Sequence, residues 1–282
     1  MTAIDLNSGY YDSDHNIERL ITLSDDPKYA SLAVESKQAY AENTPYPHIV
    51  FDDFLPNDIA MRLSQHYPDP RYINEDWKFH HHDQVQRYFL DDATKFALPL
   101  RLFSTAISSS PFIIFLETLT GIKSLQADPF FKGSGAMTKE AGGCLNVHVD
   151  YNWQQKNQAW HRINALFYLT PDWREEWEGN LELWTKDGQS TVKEVTPPFN
   201  RAVIFDTTKD SYHGHPVPLK TPSDKFRNVF SAFFYSNQKS DAIDDSPHFT
   251  KYLSDTRHQV AQFETSPFAE KITNDYIKSA EQ

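Results

Sequence analysis

The chain has 282 residues, 39% hydrophobic and 23% charged, a composition that excludes intrinsic disorder and leaves room for a sizeable core. Acidic residues outnumber basic ones by 39 to 27, and the net charge of −12 opposes general binding to nucleic acid or to an anionic membrane surface. A single cysteine, Cys144, excludes an internal disulfide and a cysteine-based zinc finger; with no basic or apolar leader and no membrane-length apolar run, the expected location is the cytoplasm.

Residues 1–25 are polar and without clear periodicity, and residues 26–43 read as a helix. PYPHIVFDDFLP (45–56) reads as a strand ended by a proline, followed by a helix with Asn57 near its cap and Ile59 and Leu63 on one face. Residues 71–98 are mixed and polar, and carry His80, His81 and His82. Three adjacent side chains fan out on a strand or a helix, so this run reads as a loop near a site mouth rather than as a metal cluster. SSPFIIFLETLTG (109–121) has helix punctuation, with Ser110 as cap, Pro111 in the first turn and Gly121 beyond the end. Its apolar character suits burial against a sheet.

From about 123 to 236 the pattern changes to short β-rich runs separated by turns: CLNVHVD, NALFYLT, NLELWT, RAVIFDTT and NVFSAFFYS. Such a series indicates an antiparallel sandwich or barrel, a double-sheet jelly roll being one form. Residues 241–282 return to helical or irregular patterning, with no chemistry evident.

The chemistry centres on His148-Val149-Asp150. On a strand, residues i and i+2 face the same side, so an imidazole and a carboxylate are presented together. His213 or His215, in SYHGHPVP, is the candidate third ligand. Two imidazoles and one carboxylate leave three adjacent positions open on a six-coordinate metal, the ligand set of non-haem Fe(II) oxygenases. A bidentate 2-oxo acid and O2 would fill those positions. Arg227, opening RNVFSAFFYS, is the candidate cation for the far carboxylate of 2-oxoglutarate, because a guanidinium grips a carboxylate bidentately. A bare H-x-D is a weak signal; the β-rich setting and the later His and Arg strengthen it.

The stretches GGCLNVHVDY, HRINALFYLTPDW, EGNLELW, PFNRAVIFDTTKDSYHGHPV and FRNVFSAFFYS resemble, in order and spacing, the core of the prolyl-4-hydroxylase-like branch of the 2-oxoglutarate/Fe(II) oxygenases. PYPHIVFDDFLP and FLETLTGIKSLQADP resemble that branch's N-terminal portion, so the resemblance spans about 45–236. It implies an α+β, mainly β fold: a double-stranded β-helix (jelly roll) with N-terminal supporting helices. It implies Fe(II) on His148, Asp150 and His213, the far carboxylate of 2-oxoglutarate on Arg227 with Tyr168 as a further partner, O2 as cosubstrate, and ascorbate as an accessory reductant. The expected organisation is an extension over 1–44, an oxygenase domain over 45–240 with its core at about 123–236, and a tail over 241–282. The expected reaction is hydroxylation of a peptidyl, amino-acid or other small-molecule substrate with release of succinate and CO2. Related halogenases lack the carboxylate ligand, so Asp150 points to hydroxylation or a close variant.

Two departures stand out. Gly179-Asn180 replaces the Gly-Gly of many relatives, and KTPSDK (220–225) lengthens the gap between His213 and Arg227, which keeps His215 open as the third ligand. Arg162 is expected in a surface salt bridge, Trp160, Trp173, Trp177 and Trp184 in packing, Tyr151, Asn152 and Trp153 near a substrate entrance, and Asn200-Arg201 in a structural turn. The alternatives are a non-catalytic sensor of the same fold, or a zinc-dependent cupin-like enzyme, which would have no use for Arg227. No zincin, hydrolase-elbow, Walker or Rossmann motif is present.

Overall fold

A computed structural model of the chain describes residues 14–72, 78–80, 87–240, 242–243 and 246–253. The helices are α1 (Asp14–Ile21), α2 (Pro27–Glu42), α3 (Asn57–Gln65), α4 (Leu98–Ile107) and α5 (Ser110–Thr120). The strands in chain order are β1 (His48–Phe51), β2 (Lys78–His80), β3 (Arg87–Leu90), β4 (Leu125–Ala127), β5 (Gly135–Lys139), β6 (Leu145–Val149) and β7 (Trp153–Gln154). They continue as β8 (Ala159–Tyr168), β9 (Leu181–Trp184), β10 (Thr191–Val195), β11 (Ala202–Asp206), β12 (His213–His215), β13 (Arg227–Ser236) and β14 (Lys251–Tyr252).

The strands form two antiparallel sheets, the double-stranded β-helix expected from the sequence. The major sheet runs β1-β11-β8-β13-β5-β3-β2, with β4 beside β13 and β7 beside β8. The minor sheet runs β10-β9-β12-β6-β14.

The long apolar runs of β8, β11 and β13 follow from burial on both faces. Ile163, Ala165, Phe167, Ile204, Phe230 and Phe234 join the helices in one large cluster with Phe103, Phe112, Phe115 and Leu116. The alternate positions Tyr168, Val203, Phe205 and Val229 pack with Leu181, Leu183 and Val195 of the minor sheet. Phe103 meets Phe167 and Phe230 edge-on, with centroids 5.2 and 5.3 Å apart, a favoured arrangement for aromatic quadrupoles.

Several boundaries differ from expectation. The first strand is only His48–Phe51 within 45–56, because Phe54 and Leu55 turn to pair with Asn200 instead. Helix α5 is capped by Ser109 rather than Ser110, and Gly121 closes it with φ +78° in the left-handed region. Helices α1 and α4 have no counterpart among the expected elements, although buried Leu100, Phe103 and Ile107 have helical spacing. Helix α2 packs Tyr29, Ala33 and Tyr40 into the large cluster, and the Tyr40 hydroxyl donates to Asp206 of β11. Of the tail, residues 251–252 form an edge strand on β6, where only helical or irregular structure was expected. The histidine run reaches the described residues only as the backbone of His80, the end of β2; His81 and His82 lie outside them.

Asn200 ties the N-terminal segment to the sheet. Its φ is +64°, a region asparagine tolerates better than most residues. Its side chain accepts from Leu55 N at 3.0 Å and donates to Leu55 O at 2.8 Å, mimicking a strand partner. Its backbone N–H donates to Tyr168 O at 2.9 Å, beside the candidate site. Asn200→Ala leaves two buried backbone groups of Leu55 unsatisfied. We expect a loss of about 2–4 kcal/mol in urea unfolding; a change below about 0.5 kcal/mol would show that these bonds are replaced by others.

Candidate metal centre

Strand β6 carries His148, and Asp150 follows directly after its end. Strand β12 lies between β6 and β9 and places His213 opposite His148 in register. That pairing needs a glycine between the two histidines of β12. A Cβ on Gly214 would lie 2.8 Å from Leu145 O and 3.0 Å from Asn146 O, inside contact distance of the β6 backbone. The imidazole centroids of His148 and His213 are 4.4 Å apart. His148 Nε2 is 3.3 Å from Asp150 Oδ1, and His213 Nε2 is 3.6 Å from Asp150 Oδ2. All three residues are buried, and their potential ligand atoms lie within 4.8 Å of one another.

The tautomers follow from the hydrogen bonds. His148 Nδ1 faces Asn146 O at 2.8 Å and His213 Nδ1 faces Ser211 O at 2.9 Å. A carbonyl only accepts, so each Nδ1 carries the hydrogen and each Nε2 presents a lone pair. Two bare nitrogens and a carboxylate turned toward one point repel each other unless a cation lies between them. The donor set therefore fits a divalent metal, with the backbone carbonyls in the orienting role such sites require. Asn164 of β8 donates from Nδ2 to Asp150 Oδ2 at 3.1 Å and fixes the carboxylate plane. Burial pushes the Asp150 carboxyl up, but positive charge at His213 and His148, in the place a cation among the three donors would take, outweighs it and holds the group well below the usual carboxylate range. Burial pushes His213 down to about 4, which keeps it neutral and able to ligate.

His215 does not join this group. Its Nε2 lies 2.7 Å from Lys139 Nζ on β5, and its register partner is Leu145 rather than His148. The bulge between His213 and His215 separates their surroundings.

A second cluster surrounds Arg227. The side chain is buried, donates from Nε to Gly179 O at 2.9 Å, and reaches the Tyr168 hydroxyl at 3.4 Å. Its guanidinium carbon stands 5.1 Å from the Tyr168 ring centroid. Gly179 is needed here: its φ is +77°, and a Cβ would lie 2.4 Å from Leu219 and 3.1 Å from Arg227 Cδ. The Gly179-Asn180 departure thus keeps the glycine that the Arg227 cradle requires, while Asn180 donates to Glu194 on β10.

Arg162 donates to Gln238 O rather than forming an exposed ion pair. Trp177 is buried, and Trp173 and Trp153 make edge contacts with Trp177 and Trp160. Tyr151 shares a 2.6 Å hydrogen bond with Tyr235, and Cys144 is buried. Three residues of the site carry no role in the sequence reading. Asn164 has a usable signal, since it shares the alternation of β8 with Tyr168. Tyr252, whose ring lies 5.2 Å from His148, arrives from the tail and has no local signal. Lys139, fully inside the protein, has none either.

Residues 135–235 match the family model of the 2OG-Fe(II) oxygenase superfamily. No curated protein matches the chain in sequence. Among solved structures, the chain is similar to a prolyl hydroxylase from Trichoplax adhaerens in complex with a hypoxia inducible factor oxygen degradation domain peptide fragment. The identity is 13% over 80% of this chain and 94% of that one, with a TM-score of 0.51. It is also similar to a Pseudomonas putida prolyl-4-hydroxylase, with 14% identity over 73% and 99% of the two chains and a TM-score of 0.51. A third likeness is to SnoN, a non-heme α-ketoglutarate-dependent epimerase from nogalamycin biosynthesis, with 12% identity over 73% and 82% and a TM-score of 0.50. At these identities the likeness to the solved structures is one of fold.

The buried histidines give the metal-free protein a defined pH response. His213 drops from its ordinary 6.5 to about 4 on folding, so below pH 6.5 the unfolded chain binds a proton that the folded chain refuses. Its stabilising contribution is complete above pH 6.5 and disappears as the pH falls toward 4. In chelator-treated protein, His213→Gln should reduce the fall in unfolding free energy, read from urea titrations, between pH 7.5 and 5 by on the order of 1–3 kcal/mol. An unchanged slope would mean that His213 is solvated in the folded protein.

Proposed function

We infer, from the match of residues 135–235 to the 2OG-Fe(II) oxygenase superfamily, that the chain is an Fe(II)- and 2-oxoglutarate-dependent dioxygenase whose iron is held by His148, Asp150 and His213. The observation that carries the ligand assignment is the convergence of two bare Nε2 atoms and one carboxylate within 4.8 Å in the sheet interior. The far carboxylate of 2-oxoglutarate is assigned to Arg227 and Tyr168, whose mutual contact leaves guanidinium donors available beyond those given to Gly179 O and the Tyr168 hydroxyl. When bound, iron and 2-oxoglutarate supply the oxidising chemistry, consuming O2 and releasing succinate and CO2.

The protein's own share is positional. The carbonyls of Asn146 and Ser211 hold both imidazoles in the ligating tautomer. Asn164 keeps Asp150 turned toward them. Phe205 packs against His213 with centroids 4.8 Å apart and, with Leu183 and Val203, keeps that side of the site dry. The His148 side is bordered by Tyr252, which makes the end of the described tail part of the wall. Tyr151, next to Asp150, is pinned by Tyr235 and Lys132 O, a fixed surface for a substrate to meet.

The reaction we propose is hydroxylation of an unactivated C–H, in a peptidyl, amino-acid or other small-molecule substrate. It is supported by the carboxylate of Asp150 and by the fold shared with two prolyl hydroxylases. An epimerase shares that fold too, so the substrate is to be found by assay.

Anaerobic protein given Fe(II) and 2-oxoglutarate should develop the weak visible charge-transfer band of the chelate. His213→Ala and Asp150→Ala should lose it; His215→Ala should keep it. Arg227→Met should weaken 2-oxoglutarate binding by roughly 10–100-fold. A folded wild-type protein without the band would refute this function.

A further inference from the structure

Three cationic side chains stand side by side in the interior of the major sheet. Arg87 on β3 pairs in register with Lys139 on β5, and Lys139 pairs with Arg227 on β13. Their exposures are 7%, 5% and 7%. Residues directly opposite across two strands have Cβ atoms roughly 5 Å apart, and like charges so placed repel. Burial adds a desolvation cost for each cation unless an opposite charge compensates.

No carboxylate stands beside Lys139 among the described residues; burial and the nearby Arg87 and Arg227 guanidiniums hold its ammonium well below the usual lysine range, with Cys144 acting the other way. The Lys139 ammonium donates to Cys144 O at 2.7 Å and to His215 Nε2 at 2.7 Å, both neutral acceptors. An ammonium carries three N–H donors, so one is left over. Because His215 Nε2 accepts, its hydrogen sits on Nδ1, and that atom is buried with no partner. The contacts of Arg227, with Gly179 O and the Tyr168 hydroxyl, are also with neutral groups. Lys139 and Arg227 thus form a buried pair of basic side chains with donors to spare and, among the described residues, no carboxylate to receive them; an anion arriving between them favours the charged form of both. A structural pair of this kind is costly; a pair that awaits an anion is not.

We propose that Lys139 is a second anchor for 2-oxoglutarate, and that its far carboxylate is held by two cations, Lys139 and Arg227, rather than by Arg227 alone. This rests on the function proposed above. It assigns to β5 a role in cosubstrate selection. A 2-oxo acid lacking the far carboxylate would leave both cations buried and uncompensated, and would be rejected more strongly than the loss of one ion pair implies. His215 serves as a positioning residue, because its Nε2 holds the ammonium beside Arg227.

The test is calorimetric titration of Fe(II)-loaded protein under anaerobic conditions with 2-oxoglutarate and, separately, with 2-oxopentanoate. The latter has the same carbon count and chelating end but no far carboxylate. The quantity read is the ratio of the two affinities in each protein. It is taken within one preparation, so a misfolded fraction cancels. Lys139→Met should lower the preference for 2-oxoglutarate by about tenfold or more, with 2-oxopentanoate binding little changed. Lys139→Gln, which keeps a donor but loses the charge, should do the same. An equal loss for both ligands would assign Lys139 a structural role and overturn the proposal, as would an unchanged ratio. If wild-type protein binds neither acid, the dioxygenase reading itself fails; if it binds 2-oxoglutarate and Lys139→Met binds it equally well, only the second anchor fails.

Discussion

The site depends on how closely β12 can approach β6. The two strands pair so that His213 stands across from His148, and only a residue without a Cβ fits between His213 and His215 against the Leu145 and Asn146 carbonyls. With the register set, Asp150 needs no further adjustment. It follows the strand that carries His148, and the alternation of the backbone turns it to the same side. The carbonyls of Asn146 and Ser211, each two residues before its histidine, then orient the imidazoles. A slip of one residue between β12 and β6 would turn His213 to the opposite face and dismantle the donor set.

The two-layer burial of the major sheet makes this interior possible. Strands β8, β11 and β13 give one set of side chains to the helices and the other to the minor sheet. The helix side is a dense aromatic cluster, which leaves the inner face to carry Asn164, Tyr168 and Arg227. These polar groups are tolerated because each is partnered: Asn164 with Asp150, Tyr168 with Arg227, Arg227 with Gly179 O. Arg227 and Lys139 are the members that, although hydrogen-bonded, have no described carboxylate beside them. Such imbalances concentrate where a protein is shaped for a ligand rather than for stability.

Much of the site is legible in the sequence. His148, Asp150, His213, Arg227 and Tyr168 stand in runs whose alternation marks strands, and their residue types already carry the chemistry. The choice between His213 and His215 is not legible there, because both are two apart on one short strand. A bulge, which sequence spacing does not reveal, separates them. Helix α4 does not stand out although its periodicity is present, since Leu98-Pro99 at its start resembles a loop. The edge strand β14 does not stand out because two residues of pairing leave no pattern.

By itself, then, the sequence determined the type of sheet, the position of the core strands and the identity of the metal-site candidates, because these rest on period-two alternation and on local spacing. The tertiary structure alone decided which histidine meets Asp150, that Gly179 cradles Arg227, and that Lys139 lies next to Arg227. These are contacts between strands far apart in the chain, and they are set by register and backbone approach, which no local pattern encodes.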